Sequence, residues 1–329
     1  MKLFDYNKDS FSKVTYNIGG IDTHVYNSDI LTPYIESFNN ELQHPTHEIP
    51  INVLYLLHQR QGDYKYTESI AYNILEQFYS KKSNLETGDI PLICVTFDLR
   101  NHGSREIDSL KNHGWDKNKT HGVDMISSIM GNVIDLKLII DFLPTYLNLD
   151  SLLNLDFKQR NTHYKIKFEN IISGYSLGAH TIFRFINEYP NLIKIINPVV
   201  GCIDLSSLLI NRLKKNSINS SDYDKKWFYY NYEELNLTKE EQQKYPQTLH
   251  NLLQRQDLNI FENFPMHQIK MFASFGNEDT LVPPKLSSVW CDSYLNTNDD
   301  TEIFIEKGMG HDVSDEMIDK FTTWLVKNI

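Results

Sequence analysis

The stretch Ile171-Ile172-Ser173-Gly174-Tyr175-Ser176-Leu177-Gly178-Ala179-His180 decides how the chain is read. A strand-like run, Phe168 to Ile172, stops at Gly174, and helix-favouring residues resume at Ala179. Ser176 stands between them in the pattern G-x-S-x-G, which forces the serine onto a very tight turn from strand to helix. Glycines two residues to either side let neighbouring backbone pass close by, and they tolerate strained dihedrals that push the hydroxyl out of the turn. A helix starting at Leu177 leaves that residue's amide without an intrahelical acceptor and turns the positive end of its dipole toward whatever Ser176 attacks. That is half of an oxyanion hole. The helix itself is read from Ile182, Phe183, Phe185 and Ile186, with Tyr189-Pro190 as its stop.

Outward from this stretch, strand and helix patterns alternate. Residues 14–26 alternate around Gly19-Gly20 and predict an opening β-hairpin. Residues 28–50 are polar, contain Pro33, Pro45 and Pro50, and read as an excursion. Strands are predicted over 51–57 (ending at His58), 92–97 (ending at Asp98), 192–200, 269–275 and 302–305, and helices over 67–78, 121–147, 285–295 and 314–327. Such alternation implies a doubly wound, mostly parallel α/β sheet with helices on both faces. The whole chain, 1–329, reads as one domain. A break in the pattern over 205–264 reads as an insertion. It gathers Trp227 and several tyrosines, and Thr238-Lys239-Glu240-Glu241 opens a helix there in capping-box fashion, with another helix over 247–256. Ligands of open α/β sheets bind outside the carboxyl ends of the strands, so an insertion there reads as a cap or lid over the substrate pocket. Its aromatic residues would either line the pocket for an apolar acyl or alcohol group or form the cap's own core.

Composition narrows the function. Hydrophobic content of 40% and charged content of 23% over 329 residues describe a globular protein with ample core. A net charge of −11 argues against a nucleic-acid partner or an anionic membrane surface, both of which demand a basic face. No apolar run approaches the length of an integral membrane segment. Cys94, Cys202 and Cys291 are odd in number and widely spaced, with neither a disulfide framework nor a zinc spacing, which suits a cytoplasmic location. Neither a metal site nor a glycine-rich dinucleotide loop is evident, so no cofactor is expected.

A serine nucleophile needs a base, and the base needs a carboxylate to orient it. Two loops supply these downstream of the serine, in order. Gly276-Asn277-Glu278-Asp279-Thr280-Leu281-Val282-Pro283 follows one strand, and Gly308-Met309-Gly310-His311-Asp312 follows the next. The order Ser176, Asp279, His311, each at the carboxyl end of a strand, resembles that of the α/β-hydrolase fold superfamily, and specifically its serine esterase-like members. Asp279-x-x-Val282-Pro283 resembles the superfamily's acid loop, and Asp98-Leu99-Arg100-Asn101-His102-Gly103 resembles the D-x-R-N-H-G turn of its small esterases. The resemblance runs from about Thr15 to the C-terminus.

By this resemblance Ser176 is the nucleophile, His311 the general base and Asp279 the carboxylate that holds the imidazole; Asp204, after an earlier strand, is the alternative acid. The superfamily usually carries His-Gly after its third strand. Here His58-Gln59-Arg60 stands instead, with glutamine at the glycine position. The implied oxyanion donors are the backbone amides of Leu177 and Arg60, and the Arg60 side chain would be in reach of an acidic group on a substrate. His58, Gln59 and Tyr175 are candidate substrate contacts. His102 and Arg100 read as braces of the Asp98 turn, and His180 as packing beneath the elbow. The activity implied is a carboxylesterase-like hydrolysis of a small-molecule ester or thioester. A peptidase or amidase using the same three residues, or a binding protein on the same fold, are the alternatives.

Overall fold

The structure, a computed structural model, describes residues 2–40, 47–82 and 89–329. Eight strands form one sheet: β1 (Lys13–Ile18), β2 (Ile21–Tyr26), β3 (Glu48–Leu57), β4 (Leu92–Phe97), β5 (Lys165–Tyr175), β6 (Ile195–Val199), β7 (Lys270–Gly276) and β8 (Thr301–Glu306). Their order is β1-β2-β4-β3-β5-β6-β7-β8. The opening hairpin is antiparallel and joins β4 antiparallel; every other pairing is parallel.

Period-two alternation along the central strands divides the core into two layers. Val53, Tyr55 and Leu57 of β3 and Met271, Ala273 and Phe275 of β7 face one layer, while Leu54, Leu56 and Phe272 face the other. The second layer is closed by α2 (Tyr64–Lys81) and α10 (Asp315–Asn328), through Ile70, Ile74, Phe78, Phe321 and Leu325. The first is closed by α3 (His121–Leu147) and α5 (Leu177–Glu188), with the shorter α4 (Leu155–Arg160) and α9 (Ser288–Leu295) adding Phe157 and Trp290. The sheet is thus covered on both faces, which is why its strands read as nearly continuous apolar runs.

Two predicted irregular regions hold more helix than their composition suggests. Within 28–50, α1 (Leu31–Ser37) buries Leu31 and Ile35; residues 41–46 of that stretch lie outside the described residues. After β6, α6 (Leu205–Lys214) begins at once, with the Asp204 side chain accepting from the Ser207 amide as its N-cap. Serines at 206 and 207 mask this helix in the sequence, because serine competes for backbone hydrogen bonds and weakens helical pattern. The capping box at Thr238 is formed and opens α7 (Lys239–Lys244), and α8 (Gln247–Asn263) runs seven residues beyond its predicted end.

The 205–264 region is tied to the sheet layer by one buried charged group. Arg184, on α5, is 1% exposed and pairs with Asp257 of α8. Its Nη1 also donates to the Ile203 carbonyl at 2.7 Å, while Asp257 accepts from the Ser206 amide at 2.7 Å. An ion pair this deep survives only because carbonyl and amide partners share its desolvation. Removing one member leaves the other charged and alone. Arg184→Ala is expected to lower the unfolding free energy measured in urea by about 3–5 kcal/mol, whereas an apolar replacement of both, Arg184→Met with Asp257→Leu, is expected to recover most of that loss.

Candidate active site

Ser176 sits on a strand-to-helix elbow with φ 52° and ψ −105°, outside the regions an L-residue ordinarily occupies. Its amide donates to the Val199 carbonyl at 3.0 Å, and its own carbonyl accepts from the His180 amide at 3.0 Å, so neighbouring structure holds the turn. The flanking glycines serve close approach, not dihedral freedom. A Cβ on Gly178 would lie 2.1 Å from the Leu57 carbonyl oxygen at the end of β3, and one on Gly174 would lie 2.5 Å from Gly178 itself. The positive φ belongs to Ser176; Gly174 and Gly178 are not among the glycines with positive φ.

The elbow brings Ser176 to His311. Ser176 Oγ lies 2.9 Å from His311 Nε2, and His311 Nδ1 lies 2.7 Å from Asp279 Oδ2. Asp279 is 3% exposed, and its other oxygen accepts from the Leu281 and Val282 amides at 2.8 Å each. Three donors therefore converge on one buried carboxylate, an arrangement that satisfies the negative charge. The acid and histidine loops are also laced together. Glu278 N donates to the Met309 carbonyl at 2.8 Å, Gly308 N donates to Asn277 Oδ1 at 2.7 Å, and a Cβ on Gly276 would lie 2.3 Å from the Gly310 carbonyl oxygen. The alternative acid, Asp204, is taken up in capping α6 and lies 3.7 Å from Lys226 Nζ; burial pushes its carboxyl up to about 7.

A cavity of about 170 Å³ opens on Ser176, walled by Gln59, Arg60, Gln61, Met125, Leu177, His180, Arg212, Leu281 and His311. Leu177 is the first residue of α5, so its amide has no acceptor within the helix. Residues 59–62 form a tight turn closed by Gly62 N donating to the Gln59 carbonyl at 3.1 Å, with Gln61 at φ 62°. The Gln59 amide folds over Gly62, where a Cβ would lie 2.8 Å from Gln59 Cδ. The glutamine in place of the usual glycine is thus accommodated by a glycine three residues later.

Two of the predicted substrate contacts lie elsewhere. His58 is fully buried behind the turn, with Nε2 accepting from the Leu99 amide at 3.0 Å and Nδ1 bonded to the Gln59 carbonyl at 2.7 Å; burial and the neighbouring His102 hold it down to about 4, hence neutral. Tyr175 points into the opposite layer, packed edge-on against Tyr66 with its hydroxyl accepting from Ser173 Oγ at 3.0 Å. The physical reason is the strand's alternation: the residue before the elbow serine faces away from the side on which α5 packs. Most of the insertion's aromatic residues are likewise core, Tyr229 being exposed. Trp227, Phe228, Tyr223 and Tyr245 are all under 7% exposed, and none lines the Ser176 cavity.

The Asp98 turn is a brace. Asp98 accepts from the Tyr64 and Ser104 amides at 2.7 Å each, and Gly103 at φ +53° leaves room for that carboxylate, which would lie 2.2 Å from a Cβ there. Arg100 and Arg105 both pair with Asp135 of α3. His102 Nδ1 donates to the Arg100 carbonyl at 2.8 Å. His180 is buried under the elbow, its Nδ1 donating to the Cys202 carbonyl at 2.9 Å, and burial drives it down to about 3. Arg212, Met125 and Gln61 reach the cavity without any sequence signal, since each comes from an element whose placement only the packing decides.

No protein-family model matches the sequence, and no curated protein matches it. Among solved structures it is similar to TT1662 from Thermus thermophilus, at 12% identity and a TM-score of 0.59 over 96% of each chain. It is also similar to an acetyl xylan esterase from Paenibacillus sp. R4, at 16% identity and 0.52 over 99% of this chain and 87% of that one, and to the Pyrococcus furiosus esterase Pf2001, at 13% and 0.50 over 99% and 97%. Identities this low speak to fold alone. With its eight-stranded, mostly parallel sheet covered by helices on both faces, the chain has the α/β-hydrolase fold.

Proposed function

We propose that the chain is a serine hydrolase that cleaves a carboxylic ester or thioester through an acyl-enzyme on Ser176. The observation that carries the reading is the continuous relay from Ser176 Oγ to His311 Nε2, 2.9 Å, and from His311 Nδ1 to the buried Asp279, 2.7 Å. In this reading Ser176 Oγ attacks the substrate carbonyl carbon as its proton passes to His311 Nε2. Asp279 fixes the tautomer with the proton on Nδ1 and stabilises the imidazolium that forms. The tetrahedral oxyanion is held by the amides of Leu177 and Arg60. Its collapse breaks the bond from carbon to the leaving oxygen or sulfur, and His311 returns its proton to that group. A water then gives its proton to His311 and attacks the acyl carbon, releasing the acid and restoring Ser176.

The 205–264 insertion acts as the cap in this reading, since Arg212 of α6 walls the same cavity as Ser176. Cys94, Cys202 and Cys291 are buried free thiols, which supports a cytoplasmic setting. Among the described residues no helix is long and apolar enough to cross a membrane.

Wild-type protein is expected to be labelled by a fluorophosphonate and to hydrolyse p-nitrophenyl butyrate, and Ser176→Ala to lose both, with turnover falling by a factor of about 10⁴ or more. An unchanged Ser176→Ala rate would sink the proposal. Asp279→Asn leaves the carbon skeleton in place but permits the wrong histidine tautomer. It is expected to cut kcat by about 10³–10⁴ with little change in melting temperature, read by steady-state kinetics beside thermal unfolding.

A further inference from the structure

The Ser176 cavity meets a second one of about 460 Å³, and the two share Arg60, Arg212 and Leu281 as their common wall. The second cavity adds Trp115, Lys215 and Lys244, with Asp116 as its carboxylate. Among the described residues neither Arg60 nor Arg212 has a carboxylate within ion-pair distance, although Arg100, Arg105 and Arg184 each have one. Arg60 Nη1 lies 3.0 Å from His121 Nδ1, a neutral partner, and Arg212 Nη2 donates to the Leu281 carbonyl at 2.6 Å. Arg212 Nε is buried with no acceptor at all. Of the two lysines, Lys244 is paired with Glu240, whereas Lys215 has no carboxylate within ion-pair distance among the described residues. The unmatched positive charge thus lies on Arg60, Arg212 and Lys215, with only the two arginines also walling the Ser176 cavity.

Two guanidiniums with no carboxylate in ion-pair contact beside a nucleophile are costly, even with Asp116 and Asp279 farther off. They stand out in a protein of net charge −11, where carboxylates are in surplus. The cost is visible in their surroundings. Burial and the charge of Arg60 hold Arg212 down to about 10, and burial together with both arginines holds His121 down to about 3, so that it accepts from Arg60 and adds no charge. Guanidinium forks are suited to carboxylate and phosphate oxygens, and an anion between these two would give both a charged acceptor.

We infer that Arg60 and Arg212 form an anion subsite, and that the substrate is an ester or thioester carrying a carboxylate or phosphate group away from its scissile carbonyl. This inference rests on Ser176 acting as the nucleophile. The apolar wall offered near the serine, Met125, Leu177 and Leu281, suits a short aliphatic connection between the two groups. Trp227, Phe228, Tyr223 and Tyr245 of the insertion are buried core, and the exposed Tyr229 lines neither cavity, so they offer no competing apolar slot.

The test uses ethyl p-nitrophenyl alkylphosphonate diesters, uncharged at phosphorus, whose alkyl chain ends in a hydroxyl, a trimethylammonium, a carboxylate or a phosphate, in short and longer versions. In each, Ser176 Oγ bonds to phosphorus, nitrophenolate leaves, and the serine proton passes to His311. The full chain is expected to react with at least one anionic probe about 10- to 100-fold faster than with the hydroxyl probe of equal length, the value of charge-assisted hydrogen bonds. The ammonium probe is expected to be slowest. Whichever anionic probe leads distinguishes a carboxylate from a phosphate substrate. Arg212→Gln and, separately, Arg60→Met are each expected to reduce the anionic-to-neutral ratio at least several-fold. Equal rates for charged and neutral probes, or an unchanged ratio in both variants, would overturn the subsite while leaving the nucleophile intact. Failure of every probe to label Ser176 would overturn the hydrolase reading and the subsite with it.

Discussion

The carbonyl oxygen of Leu57 occupies the space that a side chain on Gly178 would need, and the site depends on that close approach. It presses the start of α5 against the end of β3, so the two strands that pair most extensively, β3 and β5, deliver their carboxyl ends to one point. A side chain at 178 has no room, because the obstacle is backbone and not a flexible chain end. Gly174 extends the same constraint one step back by packing on Gly178. Between these two fixed positions the chain has one way to turn, and Ser176 takes the positive φ that the turn imposes. Strain at the serine is therefore sustained by packing at its neighbours, which is how unfavourable dihedrals persist in folded proteins.

The second constraint is that acid and histidine arrive on different strands and must meet. β7 and β8 lie beside each other, and the loops leaving them are joined through backbone and through Asn277. Asp279 is consequently fixed by the Leu281 and Val282 amides before it bonds the imidazole. Orientation is built into the loop, and the histidine inherits it. The same acid loop carries the Leu281 carbonyl that holds Arg212, so the relay and the cationic wall share one support.

The polar character of the Ser176 cavity follows from where the apolar residues went. Trp227, Phe228 and Tyr245 stabilise the insertion's own interior, and the Arg184–Asp257 pair fastens that interior to α5. What is left to face the serine is mostly hydrogen-bonding groups from the 59–62 turn, α6 and the histidine loop. A cavity assembled this way is suited to a molecule that brings charge with it.

Local pattern in the sequence determined the elements whose chemistry is local. Strand 92–97 and helix 121–147 coincide with β4 and α3 because apolar periodicity is strong there, and the G-x-S-x-G turn follows from residue types at fixed spacing. The roles of Asp279, His311 and the Asp98 turn rest instead on resemblance to the α/β-hydrolase fold superfamily. Tertiary structure alone decided which side chains share a cavity. Tyr175 adjoins the serine in sequence yet faces the opposite layer, because successive strand residues alternate. Arg212 lies on a helix whose serine-rich start hides it, thirty-six residues from Ser176 by number, and becomes its neighbour only when α6 folds back over the sheet. Spacing along a chain fixes turns and faces, whereas proximity across elements is set by how buried surfaces fit, and no single segment carries that information.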